Sequence, residues 1–226
     1  MLYNSYEWQR SWLAGASALA NVGAEFWQNT ANPFSYLGGG PVLASALEVF
    51  AHAAAPRGKP SFGLNQTEIN GKSVAVREDI VVQKPFGQLK RFVREGREGG
   101  PKLIIVAPMS GHYATLLRGT VERMLPSHDV YITDWRDARS VPVAAGRFDL
   151  DDYVDYLIEF MEHIGPGAHM LAVCQPSVPC YAAACLMSAD KNPCRPKTLT
   201  LMGGPIDTRE APTAVNLPAT QRPHSW

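Results

Sequence analysis

One stretch constrains this chain more than any other: His169-Met170-Leu171-Ala172-Val173-Cys174-Gln175-Pro176-Ser177-Val178-Pro179. An apolar run stops abruptly at a small-x-Cys-x-Pro turn, and an Ala-rich helical stretch, Cys180 to Met187, follows it. Strand, tight bend and helix in such close succession have the shape of a nucleophile elbow. In that turn the residue at the bend projects from a sheet, and the next backbone N–H faces a reacting carbonyl. Cys174 is the candidate nucleophile. Ala172 and Pro176 stand where a G-x-S-x-G elbow has glycines. Both are compact, and a proline costs little where a helix begins, because its missing N–H would have no partner there.

A cysteine attacks carbonyls as its thiolate, which a helix N-terminus favours; its competing fate is burial as a small hydrophobe. Cys180 and Cys185 fall inside the following helix and, with Cys194, read as structural. Gln175 keeps its backbone N–H and supplies one oxyanion-hole donor. The second is expected from the turn after the Ile104 strand, at Met109 or Ser110.

The rest of the chain supplies a setting for that turn. Trp8, Trp12, Leu19, Val22 and Phe26 recur at roughly helical spacing between Glu7 and Asn29, which predicts an amphipathic helix. Its aromatic face suits packing against the main domain or contact with a hydrophobic surface. A second helix is expected from Val42 to Ala55, ended by Pro56-Arg57-Gly58-Lys59-Pro60. Residues 1–60 therefore read as a helical segment and linker, and 61–226 as a separate domain.

In that domain Ser73 to Val82 and Leu89 to Val93 read as strands paired around Pro85-Phe86-Gly87. Lys102 to Ala107, Asp129 to Trp135, Met170 to Val173 and Lys197 to Met202 read as further strands. Helical stretches Ala114 to Leu125, Asp149 to Ile164 and Cys180 to Met187 separate them. Such alternation predicts an α/β fold with a mostly parallel sheet, whose chemistry collects at the carboxyl ends of the strands.

Bulk properties narrow the functions open to it. Lys plus Arg and Asp plus Glu both number 21, so the formal net charge is zero, and no basic stripe suggests nucleic acid as a partner. The N-terminus lacks the pattern of a secretory signal, and no window approaches the ~18 apolar residues of a membrane span. The four cysteines crowd one segment at spacings of no familiar zinc motif, so neither metal nor cofactor is expected, and a reduced cytoplasmic setting fits.

His112 and Asp134 suggest a base and an orienting acid, but a hydrolase of this kind places both after the elbow. His112 is therefore read as shaping the oxyanion turn and Asp134 as bonding locally. Downstream of Cys174 stand Asp190, Asp207 and Glu210, with His224 near the end; Asp207 and His224 are poorly placed for a triad.

Five motifs together resemble one family. They are Tyr6-Glu7-Trp8-Gln9-Arg10, Pro108-Met109-Ser110-Gly111-His112-Tyr113, Val130-Tyr131-Ile132-Thr133-Asp134-Trp135-Arg136-Asp137, Ala172-Val173-Cys174-Gln175-Pro176 and Met202-Gly203-Gly204-Pro205-Ile206-Asp207. The family is the intracellular polyhydroxyalkanoate (poly-3-hydroxybutyrate) depolymerases, and the resemblance covers their amino-terminal portion. It implies an α/β-hydrolase fold, here truncated, acting on storage polyester in cytoplasmic granules through an elbow cysteine corresponding to Cys174. The acid and histidine of the triad have no matching positions here.

The implied partners are a polyhydroxyalkanoate granule or 3-hydroxybutyrate oligomers. Two other readings stay open: a non-catalytic granule-associated protein, and an acyltransferase like the polyester synthases. A sheet ending after the Leu199 strand would expose an edge, so association into a homo-oligomer and poor solubility alone are expected.

Overall fold

The computed structural model describes residues 2–29, 31, 33, 39–56, 58–97, 99–109, 112–210, 214 and 216. The chain divides into two compact units, Met1–Lys59 and Pro60–Trp226.

The first unit is a helical pair, α1 (Leu2–Gln28) and α2 (Gly40–Ala54). Gly39 precedes α2 at φ +115°, a conformation that favours glycine, and Pro41 sits in the first turn, where no N–H is needed. The two helices meet through small residues. Ser17, Ala20 and Ala24 of α1 and Ala44 and Ala51 of α2 are buried, and the Ser17 hydroxyl donates to the Ala51 carbonyl at 2.8 Å. Gly23 leaves room for Leu47; a Cβ there would lie 3.1 Å from Leu47 Cδ1. The periodic aromatic face takes no part in the contact between the two helices, with Trp8 74% and Trp12 61% exposed, and Leu19, Val22 and Phe26 exposed beside them. Helical spacing identified the helix but not its buried face, because stripes of small and of large residues both repeat with the helical period.

The second unit is built on a seven-stranded sheet in the order β1-β2-β3-β5-β4-β6-β7. Its strands are β1 (Gln66–Ile69), β2 (Lys72–Gln83), β3 (Gly87–Arg94), β4 (Lys102–Val106), β5 (Asp129–Trp135), β6 (His169–Val173) and β7 (Leu199–Met202). The first three strands and β5 pair antiparallel, while β5, β4, β6 and β7 pair parallel. Strand β1 was not expected. The two residues between it and β2, Asn70 and Gly71, have φ of 51° and 74°, the left-handed pair that a two-residue hairpin turn requires.

The parallel connections carry α3 (Arg118–Met124), α4 (Leu150–Ile164) and α5 (Ser177–Ala189). The stretch read as one helix from Ala114 begins as a 3-10 turn, Ala114–Leu117.

Period-two alternation sends neighbouring strand residues to opposite faces, and both faces are covered. Ile104, Val106, Met170 and Ala172 pack under α4 and α5 with Leu157, Phe160, Cys180 and Met187. Leu103, Ile105, Ile132 and Leu171 pack on the other face with Phe92, Val121 and Leu125. Every residue of β5 is buried, as befits a central strand. Helix α4 starts with a capping box in which Asp149 accepts from the Asp151 and Asp152 N–H groups and Asp152 reaches back to the Asp149 N–H. The architecture is α/β-hydrolase-like: a mixed sheet with helices on both faces and a strand–bend–helix unit in its parallel half.

Candidate active site

Strand β4 pairs with β5 on one side and β6 on the other, all three parallel. The connections that leave the adjacent strands β4 and β6 cover opposite faces, α3 on one and α5 on the other, which makes the carboxyl ends of this pair a switch point. Two turns meet there, one after β4 and one after β6.

The turn after β6 is the elbow. Cys174 has φ +67°, a conformation that non-glycine residues seldom adopt, and its side chain is exposed. The Cys174 N–H donates to the Met202 carbonyl at 2.8 Å, which extends the β6–β7 ladder to the bend, and its carbonyl accepts from the Ser177 N–H at 3.0 Å. Helix α5 starts directly at Ser177. Space around the bend is minimal: a Cβ on Gly204, in the turn after β7, would lie 2.0 Å from Ser177 Cβ and 3.0 Å from the Cys174 carbonyl oxygen. The Ser177 hydroxyl beneath it is fully buried and has no hydrogen-bond partner among the described residues.

The turn after β4 is clamped by β5. The Ala107 N–H donates to Thr133 Oγ1 and the Ala107 carbonyl accepts from Trp135 Nε1, both at 2.9 Å. Met109, two residues on, turns its N–H to Gln175, donating to the side-chain Oε1 at 3.1 Å. Three sequence-predicted residues thus adjoin one another: Met109 is hydrogen-bonded to the side chain of Gln175, which follows Cys174 in the chain. The fourth, Ser110, falls outside the described residues, as does His224.

Beside Met109 lies a cleft of about 540 Å³. Its aromatic wall is Phe86, Phe148 and Trp135, with Phe86 and Phe148 stacked at 4.8 Å between ring centroids. His112 and Tyr113 line it on the β4 side and residues 136–139 on the β5 side. Gly87 makes room for the indole, since a Cβ there would lie 2.8 Å from Trp135 Cε3. Cys174 is not part of the cleft lining; Met109 links the cleft to the elbow.

The carboxylates considered from sequence turn elsewhere. Asp134 is buried and accepts from Gln88 Nε2 at 2.8 Å, with Lys90 Nζ at 3.7 Å. Asp207 is exposed and bidentate with Arg209, whose guanidinium holds its carboxyl below the usual range. Cys180 is buried against the sheet, and burial pushes its thiol up. No group of three or more His, Cys, Asp or Glu placed to hold a metal occurs among the described residues. No described helix is long and apolar enough to cross a membrane.

Sequence reasoning did not find Thr133, the Trp135 indole or the Gln175 carboxamide as parts of the site. All three act across the sheet, between positions far apart in the chain, and local pattern carries no trace of such contacts. Gly203-Gly204 was the one visible signal, as a glycine pair where backbone must approach backbone closely.

Comparison with protein-family models finds no match, and a search of curated proteins finds no relative. Among solved structures the chain is similar to naproxen esterase (carboxylesterase NP) from Bacillus subtilis, at 17% identity over 56% of this chain and 42% of that one, with a TM-score of 0.41. It is similar to a bacterial membrane phospholipase A at 16% identity, 58% and 40% coverage and a TM-score of 0.43. It is also similar to brefeldin A esterase, a bacterial homologue of human hormone sensitive lipase, at 13% identity, 63% and 42% coverage and a TM-score of 0.40. The chain spans about two fifths of the length of these three structures.

Proposed function

We propose that this chain carries the nucleophile and oxyanion site of an ester hydrolase acting on storage polyester, as an intracellular polyhydroxyalkanoate depolymerase. The observation that carries the reading is Cys174: an exposed thiol at a left-handed bend between a parallel strand and the helix that follows. The Gln175 backbone N–H follows it, and the Met109 N–H lies within bonding reach of the Gln175 side chain. The five motifs that resemble those of the depolymerases support the polyester as substrate.

In the proposed reaction the Cys174 sulfur adds to an ester carbonyl of the polymer. The C–S bond forms as the carbonyl π pair moves to oxygen, and the Gln175 and Met109 N–H groups bind the resulting oxyanion. Each such donor is worth about 3 kcal/mol of barrier. Collapse breaks the C–O bond to the hydroxyl end, which leaves with the proton given up by the thiol. Water then adds to the thioester, releasing the carboxylic acid and restoring the thiol. A granule surface or short 3-hydroxybutyrate oligomers would supply the ester, in a cytoplasmic setting.

The test is release of 3-hydroxybutyrate from amorphous polyhydroxybutyrate granules by the chain and by Cys174→Ala. Release lost on substitution is expected; equal release by both forms would refute the nucleophile. A second reading, a granule-associated protein without catalysis, is favoured by the aromatic face of α1 that the contact with α2 leaves uncovered. Its signature is co-sedimentation with granules, weakened in a Trp8→Ser/Trp12→Ser form, with no release by either chain.

A further inference from the structure

We infer that the Gln175 side chain caps the oxyanion site, its carboxamide oxygen filling the acceptor position until a substrate carbonyl displaces it. The inference rests on the reading of Cys174, Gln175 and Met109 given above. Its basis is one contact, Met109 N–H to Gln175 Oε1 at 3.1 Å, joining positions 66 residues apart across the switch point. The cap and the proposed second oxyanion donor, the Gln175 backbone N–H, thus belong to one residue.

A carboxamide oxygen is a neutral sp² acceptor, as an ester carbonyl is, so it reproduces the substrate's ground state and not its oxyanion. A charged acceptor binds roughly twice as strongly as a neutral one. The cap therefore shields Met109 from water, yet yields to a substrate on its way to the tetrahedral intermediate. Both residues are half-buried, so a side-chain rotation of Gln175 into solvent opens the site. Through its side chain Gln175 is a positioning residue: it aims the Met109 N–H at the elbow in the resting protein and competes with substrate for it.

The consequence is a competition measurable without turnover. In the full chain carrying Cys174→Ala and labelled with [¹⁵N]methionine, methyl 3-hydroxybutyrate is titrated while the Met109 amide signal is followed, its assignment made with Met109→Leu. Adding Gln175→Ala removes the cap and keeps the backbone donor. A neutral hydrogen bond amounts to as much as about tenfold in an equilibrium constant. The expected results are a displaced Met109 signal before any ester is added, and an ester midpoint lowered by up to about tenfold. Gln175→Asn, one methylene too short to reach Met109, gives the same result and stands in if the alanine form does not fold.

In chains with Cys174 intact, removal of the cap lowers KM for p-nitrophenyl butyrate by up to about tenfold, because the carboxamide no longer competes with substrate for the Met109 N–H. An unmoved Met109 signal would overturn the inference, as would an unchanged or higher ester midpoint, or a fall in kcat at constant KM. Loss of the Cys174 reading would show separately, as granule hydrolysis indifferent to Cys174→Ala.

Discussion

The two units of this chain use apolar side chains in opposite ways. In the sheet unit Phe92, Phe160, Ile104, Ile105 and Leu157 are fully buried, and the residues facing solvent are mainly polar. In the helical pair the contact is made by Ser17, Ala20, Ala24, Ala44 and Ala51, while Trp8, Trp12, Leu19, Val49 and Phe50 face outward. Small residues let two helices approach closely but bury little area, so the pair gains less from the hydrophobic effect than the sheet does. Apolar side chains left outside the helix–helix contact add nothing to the stability of the pair, whereas the sheet's apolar interior serves to hold the elbow rigid.

Substitutions in the two units should respond accordingly. The largest effect is expected from Phe160→Ala, which opens a cavity between α4 and the sheet and should cost about 3–5 kcal/mol in denaturant unfolding. A loss below about 1 kcal/mol would mean that the sheet face is less tightly packed than described.

Next is Gly204→Ala, whose new methyl overlaps buried Ser177. Overpacking of this kind costs about 1–3 kcal/mol, and here it also displaces the elbow, so any Cys174-dependent activity should fall with it. Retained activity would break the link between the β7 turn and the bend.

In the helical pair, Ser17→Ala removes a single buried hydrogen bond and should cost about 1 kcal/mol. Trp12→Ser, at a side chain already in water, should change stability by no more than about 0.5 kcal/mol while reducing binding of a hydrophobic dye. A large destabilisation by Trp12→Ser would contradict the outward placement of this face.

The smallest effect is one of pH. Cys180 and Tyr153 are buried and burial raises both, so the folded chain keeps protons that the unfolded chain gives up. Their contribution is complete below the unfolded thiol value of about 8.5 and is lost as pH rises beyond it. Melting temperature should therefore decline on the alkaline side, and Cys180→Ala should make that decline shallower; an unaltered slope would place the cause elsewhere.

Much of the sheet unit was legible because its strands are short β-branched runs bounded by Gly and Pro, and because helical periodicity separates them. The bend at Cys174 was legible for the same reason: strand, small residues and helix follow one another without a gap. Strand β1 went unread although Asn70-Gly71 is a strong hairpin signal, since Gln66-Thr67-Glu68-Ile69 is an edge segment with too few apolar residues to show alternation. In α1 the aromatic residues drew attention away from the Ser17, Ala20 and Ala24 stripe that makes the contact. The Met109–Gln175 bond lay beyond any local reading, because it exists only once the sheet order places β4 beside β6.

Capture of the covalent intermediate would show which sulfur carries the acyl group. The chain is mixed with p-nitrophenyl butyrate, quenched in acid within the first turnover, digested and mapped by mass spectrometry. A butyryl thioester confined to Cys174, and absent from Cys180, Cys185 and Cys194, is the predicted result. Acylation spread over the exposed cysteines at the rate of the unfolded chain, or none at Cys174, would contradict the account.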